Sequence, residues 1–224
     1  MERQSFEAVL FDVDGTILDT SSGIVHSCRE AIEKYGLAMP SEGELLKFIG
    51  PPMEWSMENH FGITGDRLKE VVGYFRERYA KFNLMEASAY DGIYDLFAFL
   101  RERGIPTAIA TYKKQDYAER ICRGFGFGEY TDLIYGSDYE GKLTKADIIE
   151  LCIAKLGAGS RDSILMVGDS KHDANGALKA GVKFCGVSYG FGFGRFGGED
   201  INEWPHVGYY DKPMEIAQLF GVGQ

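Results

Sequence analysis

Residues 11–16 read FDVDGT, directly behind the apolar stretch Ala8–Leu10. A run that apolar belongs in a buried strand, yet it ends in two acids, Asp12 and Asp14, with Gly15 behind them. A carboxylate in a dry interior costs several kcal/mol unless something pairs with it. Two close together repel unless a cation or a shared proton is present. The stretch is either a turn at the surface or the edge of a reaction site, and the rest of the chain decides between them.

Short apolar runs recur along the chain: FEAVLF (6–11), PTAIAT (106–111), DLIYGS (132–137), SILMVGD (163–169) and VKFCGVS (182–188). Each is strand-sized and ends in a small or polar residue. Continuous apolar runs of this length suit parallel strands covered by helices on both faces. Helical patterns lie between them, at residues 92–103, 145–156 and 172–180, closed by Gly104, Gly157 and Gly181; glycine just past the last turn is a common helix stop. The alternation predicts an α/β fold with a doubly wound parallel sheet.

Residues 20–85 break the alternation. Ile24, Cys28, Ala31, Ile32 and Tyr35 recur at helical spacing up to Gly36; Ser41 and Glu44 form a capping-box pattern; Gly50-Pro51-Pro52 breaks the chain. Leu68, Val71, Val72, Phe75, Tyr79 and Phe82 then make a long amphipathic stripe. The segment is too long for an ordinary loop. It reads as a small helical cap of roughly four helices, inserted after the acidic tip of the first strand. The expected division is a core of residues 1–19 and 86–224 and a cap of residues 20–85. Trp55 and Met57 read as packing residues of the cap. The glycine- and aromatic-rich stretch YGFGFGRFGGED (189–200) reads as a loop.

The 224 residues are 45% hydrophobic and carry a formal net charge of -10, with the acids spread along the chain. Such a surface repels nucleic acid and anionic membranes, so neither is an expected partner. The four cysteines, Cys28, Cys122, Cys152 and Cys185, are scattered without a CxxC pair and read as reduced thiols. The first residues are too polar for a secretory leader, and no stretch has the apolar length of a membrane helix. A soluble cytoplasmic protein is expected. Oligomeric state is not legible.

In an open α/β sheet, ligands bind outside the carboxyl ends of the strands. At those ends stand Asp12 and Asp14, then Thr111 with Tyr112, Lys113 and Lys114, then Asp169, Ser170 and Asp173; Lys145 opens the helix before the fourth strand. Taken singly, each has a bland reading. DVDG can be a turn, Asp169 and Ser170 can cap a helix, and Lys145 can be a solvated lysine. Together they suit phosphoryl transfer, whose rate gain comes from charge neutralisation and positioning. Mg²⁺ wants oxygen ligands such as Asp12 and Asp169, and it would remove the repulsion between the acids. One carboxylate can attack phosphorus and form an aspartyl-phosphate. A second, two residues on, can protonate the leaving oxygen and then activate water. Gly15 frees the backbone to turn and offer N–H donors to phosphate, while Thr111 and Lys145 supply a hydroxyl and a positive charge.

The motifs FDVDGT, AIATYKK (108–114), GKLTKADII (141–149) and MVGDSKHDANGALKAGV (166–182) together resemble those of the haloacid dehalogenase superfamily. The likeness is to its phosphatases with a helical cap after the first motif, over nearly the whole chain. FIGPPM (48–53) and VSYGFG (187–192) resemble phosphoglycolate phosphatase-like and 5'-nucleotidase-like members. The resemblance implies Asp12 as nucleophile and Asp14 as general acid and base. It implies Mg²⁺ held by the carboxylates of Asp12 and Asp169 and the backbone carbonyl of Asp14, with Asp173 a ligand or a neighbour of the ligands. Gly15, Thr111, Tyr112 and Lys145 would bind phosphate, and Gly50, Pro51 and Met53 would form the specificity loop of a cap that closes over a small soluble phosphate ester.

An acid at position 14 argues against action on a carbon–halogen bond. Tyr112 departs from the family, which often has Asn there, and the lysine motif lacks the family's usual prolines. Lys113 can reach the site or be an ordinary lysine at a helix start, with the second reading preferred, and His172 reads as a helix-face residue. Two rivals use the same acids or lose them: a phosphomutase of the β-phosphoglucomutase kind, and a catalytically silent binding relative. A two-component receiver domain is too short and has no helical insert. The physiological ester is not legible.

Overall fold

The computed structural model describes residues 6–157, 159–195 and 198–221. The chain forms two compact units, one of Met1–Leu18 with Ala89–Gln224 and one of Asp19–Ser88.

The first unit is built on a six-stranded sheet, and every pairing in it is parallel. Its strands are β1 (Ala8–Phe11), β4 (Thr107–Lys114), β5 (Ile134–Ser137), β6 (Ile164–Gly168), β7 (Lys183–Val187) and β8 (Gly208–Tyr210), in the order β5-β4-β1-β6-β7-β8. Two further strands, β2 (Leu18–Asp19) and β3 (Ser88–Ala89), pair with each other where the chain passes between the units. The order reverses at β1, which has β4 on one side and β6 on the other. That switch point opens the crevice in which such sheets take ligands.

The helices of this unit are α5 (Ile93–Glu102), α6 (Gln115–Gly124), α7 (Lys145–Leu156) and α8 (Lys171–Ala180). Burial explains the lack of alternation in the strand sequences: β1 and β6 are buried at every position. Leu10, Ala108, Ala110 and Met166 of the sheet pack with Ile148, Ile149 and Cys152 of α7 and Ala174 and Ala177 of α8. Elsewhere the Phe11 ring lies 4.6 Å from that of Phe97 of α5, tilted by 31°, and Phe97 also meets Phe127. Both α7 and α8 begin with a capping box, Thr144 with Asp147 and Ser170 with Asp173, and end on left-handed glycines, Gly157 and Gly181.

Two differences from the sequence reading matter. The second predicted strand, 106–111, runs on to Lys114, with a bulge between Ala110 and Lys114. A sixth strand, β8, lies at the edge beside β7; three residues are too few to show a periodicity. The stretch 189–200 follows β7 as a turning segment with a non-helical kink at Gly194 (φ -110, ψ -109); Phe196 and Gly197 of that stretch lie outside the described residues.

The second unit is helical: α1 (Ser21–Lys34), α2 (Glu42–Leu45), α3 (Met53–Phe61) and α4 (Gly65–Arg78), the last running into a π-type turn at Tyr79–Asn83. Ile24, Cys28, Ala31 and Ile32 of α1 and Val71, Val72 and Phe75 of α4 are buried. Gly23 lets α1 approach the turn after α4, because a Cβ there would stand 2.1 Å from the Asn83 carbonyl oxygen. Gly50 is exposed with φ +101, and Met53 is buried with its sulfur 3.9 Å from Cys28 Sγ. Met57 is buried as expected, but Trp55 is 56% exposed, so it is not a packing residue. Among the described residues no helix is long and apolar enough to cross a membrane.

Candidate active site

The register of the sheet brings the acids together. Phe11 of β1 lies opposite Val167 of β6, and the Asp12 N–H donates to the Val167 carbonyl at 3.0 Å. Asp12 and Asp169 therefore leave adjacent strands at the same edge. Asp173 follows on the first turn of α8. One carboxylate oxygen from each of Asp12, Asp169 and Asp173 lies within 4.8 Å of the others, and all three residues are buried.

Lys145 stands among them. Its Nζ is 2.6 Å from Asp12 Oδ1 and 2.6 Å from Asp173 Oδ1. The lysine stem lies against Gly176 of α8, where a Cβ would come within 2.6 Å of Lys145 Cγ. Its backbone N–H, one of those that no earlier carbonyl of α7 can accept, donates to the Tyr112 hydroxyl at 2.9 Å. Lys145 is thus not the solvated lysine of the bland reading.

Asp173 has two duties. Oδ2 accepts from the Ser170 N–H at 3.2 Å and hydroxyl at 2.8 Å, closing the cap of α8, and Oδ1 faces Lys145. Ser170, not Asp169, caps that helix. Asp169 is held instead by the turn after β7: its Oδ2 accepts from the N–H groups of Phe191 at 2.6 Å and Gly192 at 3.2 Å. Sequence reading missed both donors. Backbone groups carry no residue signature, although the density of glycines at 190–194 permits the close approach.

Gly15 turns the chain at φ +81, and a Cβ there would stand 2.1 Å from Asp169 Oδ2. The turn that Gly15 permits is closed by its own backbone. The Gly15 N–H donates to the Leu18 carbonyl at 2.9 Å and the Thr16 N–H to the Val13 carbonyl at 3.2 Å, so these donors close the turn itself.

On β4, Thr111 and Lys113 are buried and Tyr112 between them is exposed. Thr111 is buried, and its Oγ1 accepts from the Lys113 N–H at 3.2 Å. Tyr112 is 39% exposed, with its ring edge-on to His172 at 5.7 Å. Lys113 corrects the sequence reading: it is buried, and its Nζ lies 2.9 Å from Asp14 Oδ1. It lies within β4, ahead of α6. Gly50, Pro51 and Met53 belong to the helical unit.

The electrostatics follow from burial. Burial pushes the Asp12 carboxyl up to about 7; Lys145 opposes this, while Asp173 and Asp14 add to it. Burial likewise holds Asp169 well above the usual carboxylate range, helped by Asp173 and Asp12 and opposed by the Phe191 and Gly192 N–H groups. Burial alone would lower the Lys145 ammonium, but Asp12 and Asp173 outweigh it and raise the group. Four carboxylates (Asp12, Asp14, Asp169, Asp173) stand with two ammonium groups (Lys113, Lys145), so the fully ionised cluster has an excess of two negative charges. A hard divalent cation fits this donor set in both charge and ligand chemistry.

A doubly wound sheet with this acidic cluster at its carboxyl edge is the frame of a phosphate-ester hydrolase. The family model described as haloacid dehalogenase-like hydrolase matches residues 9–187, and the chain belongs to that family. A 5'-nucleotidase of Pseudomonas aeruginosa is 37% identical over 185 residues, 82% of this chain and 83% of that protein. The tyrosine-protein kinase PtkA of Mycobacterium tuberculosis is 35% identical over 191 residues, 84% of this chain and 64% of that protein. Among solved structures, a haloacid dehalogenase-like family hydrolase from Streptococcus pneumoniae superposes with a TM-score of 0.86 at 27% identity, covering 96% of this chain and 98% of that one. The chain is a phosphatase of this family, and its family generally uses a divalent metal.

Proposed function

We propose that the chain hydrolyses a small soluble phosphomonoester, of the nucleoside-monophosphate or phosphoglycolate class, through an aspartyl-phosphate on Asp12 and with Mg²⁺ as cofactor. The observation that carries the reading is Asp12 itself: a buried carboxylate 2.6 Å from the Lys145 ammonium and grouped with Asp169 and Asp173 at the switch point of the sheet. The likeness to a 5'-nucleotidase supports the substrate class.

An Asp12 oxygen attacks phosphorus, and the bond from phosphorus to the ester oxygen breaks. Asp14, as the carboxylic acid, gives its proton to the departing oxygen, so that a neutral alcohol leaves. Asp14, now a carboxylate, takes a proton from water. The water oxygen attacks phosphorus, the bond from Asp12 to phosphorus breaks, and inorganic phosphate leaves with Asp12 and Asp14 restored. Lys145 neutralises charge on Asp12 and on the transferring group, and Thr111 offers a hydroxyl. Asp12, Asp169 and the Asp14 carbonyl would hold Mg²⁺, with Asp173 beside them. The bound ion supplies charge neutralisation for phosphoryl oxygens and acids alike.

The test is phosphate release from p-nitrophenyl phosphate, phosphoglycolate, nucleoside monophosphates and sugar phosphates. It is run with Mg²⁺ and with chelator, on wild type and Asp12→Asn. Release that needs Mg²⁺ and disappears in Asp12→Asn is expected, with the ranking naming the ester. Transfer of label from ATP to a tyrosine peptide, without release from any ester, would overturn the reading. So would phosphate release only when a sugar bisphosphate is added.

A further inference from the structure

Lys113 and Lys145 are the two buried lysines among the described residues. Each faces one of the two reacting acids: Lys145 meets Asp12 at 2.6 Å, and Lys113 meets Asp14 at 2.9 Å. We infer that Lys113 is a positioning residue, holding the Asp14 carboxylate for the water that clears the phosphoryl group from Asp12. The inference rests on the reading of Asp12 as nucleophile and Asp14 as acid and base.

The fold goes to some length to bring this ammonium to Asp14. β4 continues three residues beyond Thr111, through a bulge that sets Lys114 beside Ser137 of β5. Gly136 of β5 has no side chain to obstruct it; a Cβ there would stand 2.4 Å from the Lys113 carbonyl oxygen. The extension leaves the Lys113 side chain 4% exposed. A buried ion pair is a poor stabiliser compared with apolar residues of the same volume, because both charges lose their water. A lysine serving only the stability of this strand would be better replaced by leucine or methionine. The pair is instead asymmetric: the lysine is enclosed while the Asp14 side chain is 20% exposed. That leaves part of the carboxylate open to water and to a leaving group.

The backbone of Asp14 is already fixed. It bridges to Leu18, and the Gly15 N–H closes the turn onto the Leu18 carbonyl at 2.9 Å. The carboxylate is met from β4 by the Lys113 ammonium, 2.9 Å from Oδ1. In the second half-reaction Asp14 must accept a proton from water at the moment that water attacks phosphorus. A base turned away by an ångström or so loses much of that advantage.

The test separates the two half-reactions with p-nitrophenyl phosphate, whose leaving group departs without a proton. Burst and steady rates of p-nitrophenolate are followed in Mg²⁺ for wild type, Lys113→Met, Lys113→Arg, Asp14→Asn and the double variant Lys113→Met/Asp14→Asn. Phosphoryl-enzyme is measured by acid quench and mass spectrometry. Lys113→Met is expected to keep the burst and slow the steady rate by about tenfold or more, a part of what a whole general base contributes. Phosphoryl-enzyme should accumulate. The ratio of the two rates does not depend on how much of a variant is folded. Lys113→Arg should recover most of the steady rate, and Lys113→Met should add no further slowing in the Asp14→Asn background.

Loss of burst and steady rate in the same proportion, or further slowing of Asp14→Asn, overturns the inference. An Asp14→Asn enzyme that hydrolyses without accumulating phosphoryl-enzyme overturns the role of Asp14 and, with it, that of Lys113. A wild type that releases phosphate from no ester overturns the broader reading instead.

Discussion

Lys145 Nζ lies 2.6 Å from Asp12 Oδ1, across 133 residues of sequence, with both groups buried. The same ammonium is 2.6 Å from Asp173 Oδ1, so one positive charge serves two carboxylates that would otherwise repel each other. Lys145→Met removes that charge and leaves both acids in place. Breaking a buried pair from one side costs about 3–5 kcal/mol. In chelator the variant should unfold at clearly lower urea than wild type, and in Mg²⁺ its rate should fall by about 10²-fold or more. Urea titration followed by circular dichroism, with steady-state kinetics, checks both. An unchanged urea midpoint would mean that Lys145 does not carry this balance.

The excess of two negative charges in the fully ionised cluster predicts that a divalent cation stabilises the fold. A ligand that binds only the folded state contributes about 2.7 kcal/mol at a hundred times its Kd. Mg²⁺ should therefore raise Tm by several degrees in wild type, and Asp169→Asn should lose most of that rise. Thermal scans across a Mg²⁺ series read this without any substrate. An equal rise in Asp169→Asn would put the cation elsewhere.

Metal-free protein should show a pH slope traceable to Asp12. Its carboxyl is pushed up to about 7, chiefly by burial, from an ordinary 3.8. Between those two values the folded state holds more protons at this group than the unfolded state does. Its contribution to stability is thus fully present below about pH 4 and is lost as pH rises to about 7. In chelator, Asp12→Asn should have a flatter stability profile over that window than wild type. Parallel profiles would mean that Asp12 ionises in the folded protein as it does in water.

Gly15 is constrained twice, by φ +81 and by the 2.1 Å that would separate a Cβ from Asp169 Oδ2. Gly15→Ala should cost about 1–3 kcal/mol of stability for the backbone alone. Because Asp169 must also move, the Mg²⁺-induced rise in Tm should shrink with it. A variant that loses stability but keeps the full Mg²⁺ response would show that Asp169 tolerates the displacement.

Much of this architecture was legible in the chain, because the strongest signals are local. The apolar runs ending at Asp12 and Asp169 carry the buried parallel strands, and the glycines after α7 and α8 mark their ends. The acids at the strand tips were recognisable as a set once the sheet was assumed. What could not be read depends on the third dimension. Thr111 reads as the end of its strand because Tyr112, Lys113 and Lys114 are polar; in fact β4 runs on, and Lys113 is buried against Asp14. The Asp169 carboxylate is held by the backbone of Phe191 and Gly192, groups that every residue has. The Tyr112 hydroxyl, which accepts from the Lys145 N–H, joins β4 to α7 by a contact with no sequence period at all. β8 is simply too short to announce itself.

The central claim is that Asp12 carries the phosphoryl group. Its most direct test is to mix the Asp14→Asn enzyme with p-nitrophenyl phosphate and Mg²⁺, quench in acid within the burst, and map the phosphoryl group by mass spectrometry. The account predicts one phosphoryl group on the peptide that contains Asp12, and none when Asp12→Asn is added. A phosphoryl group on a tyrosine, histidine or any other residue would contradict it.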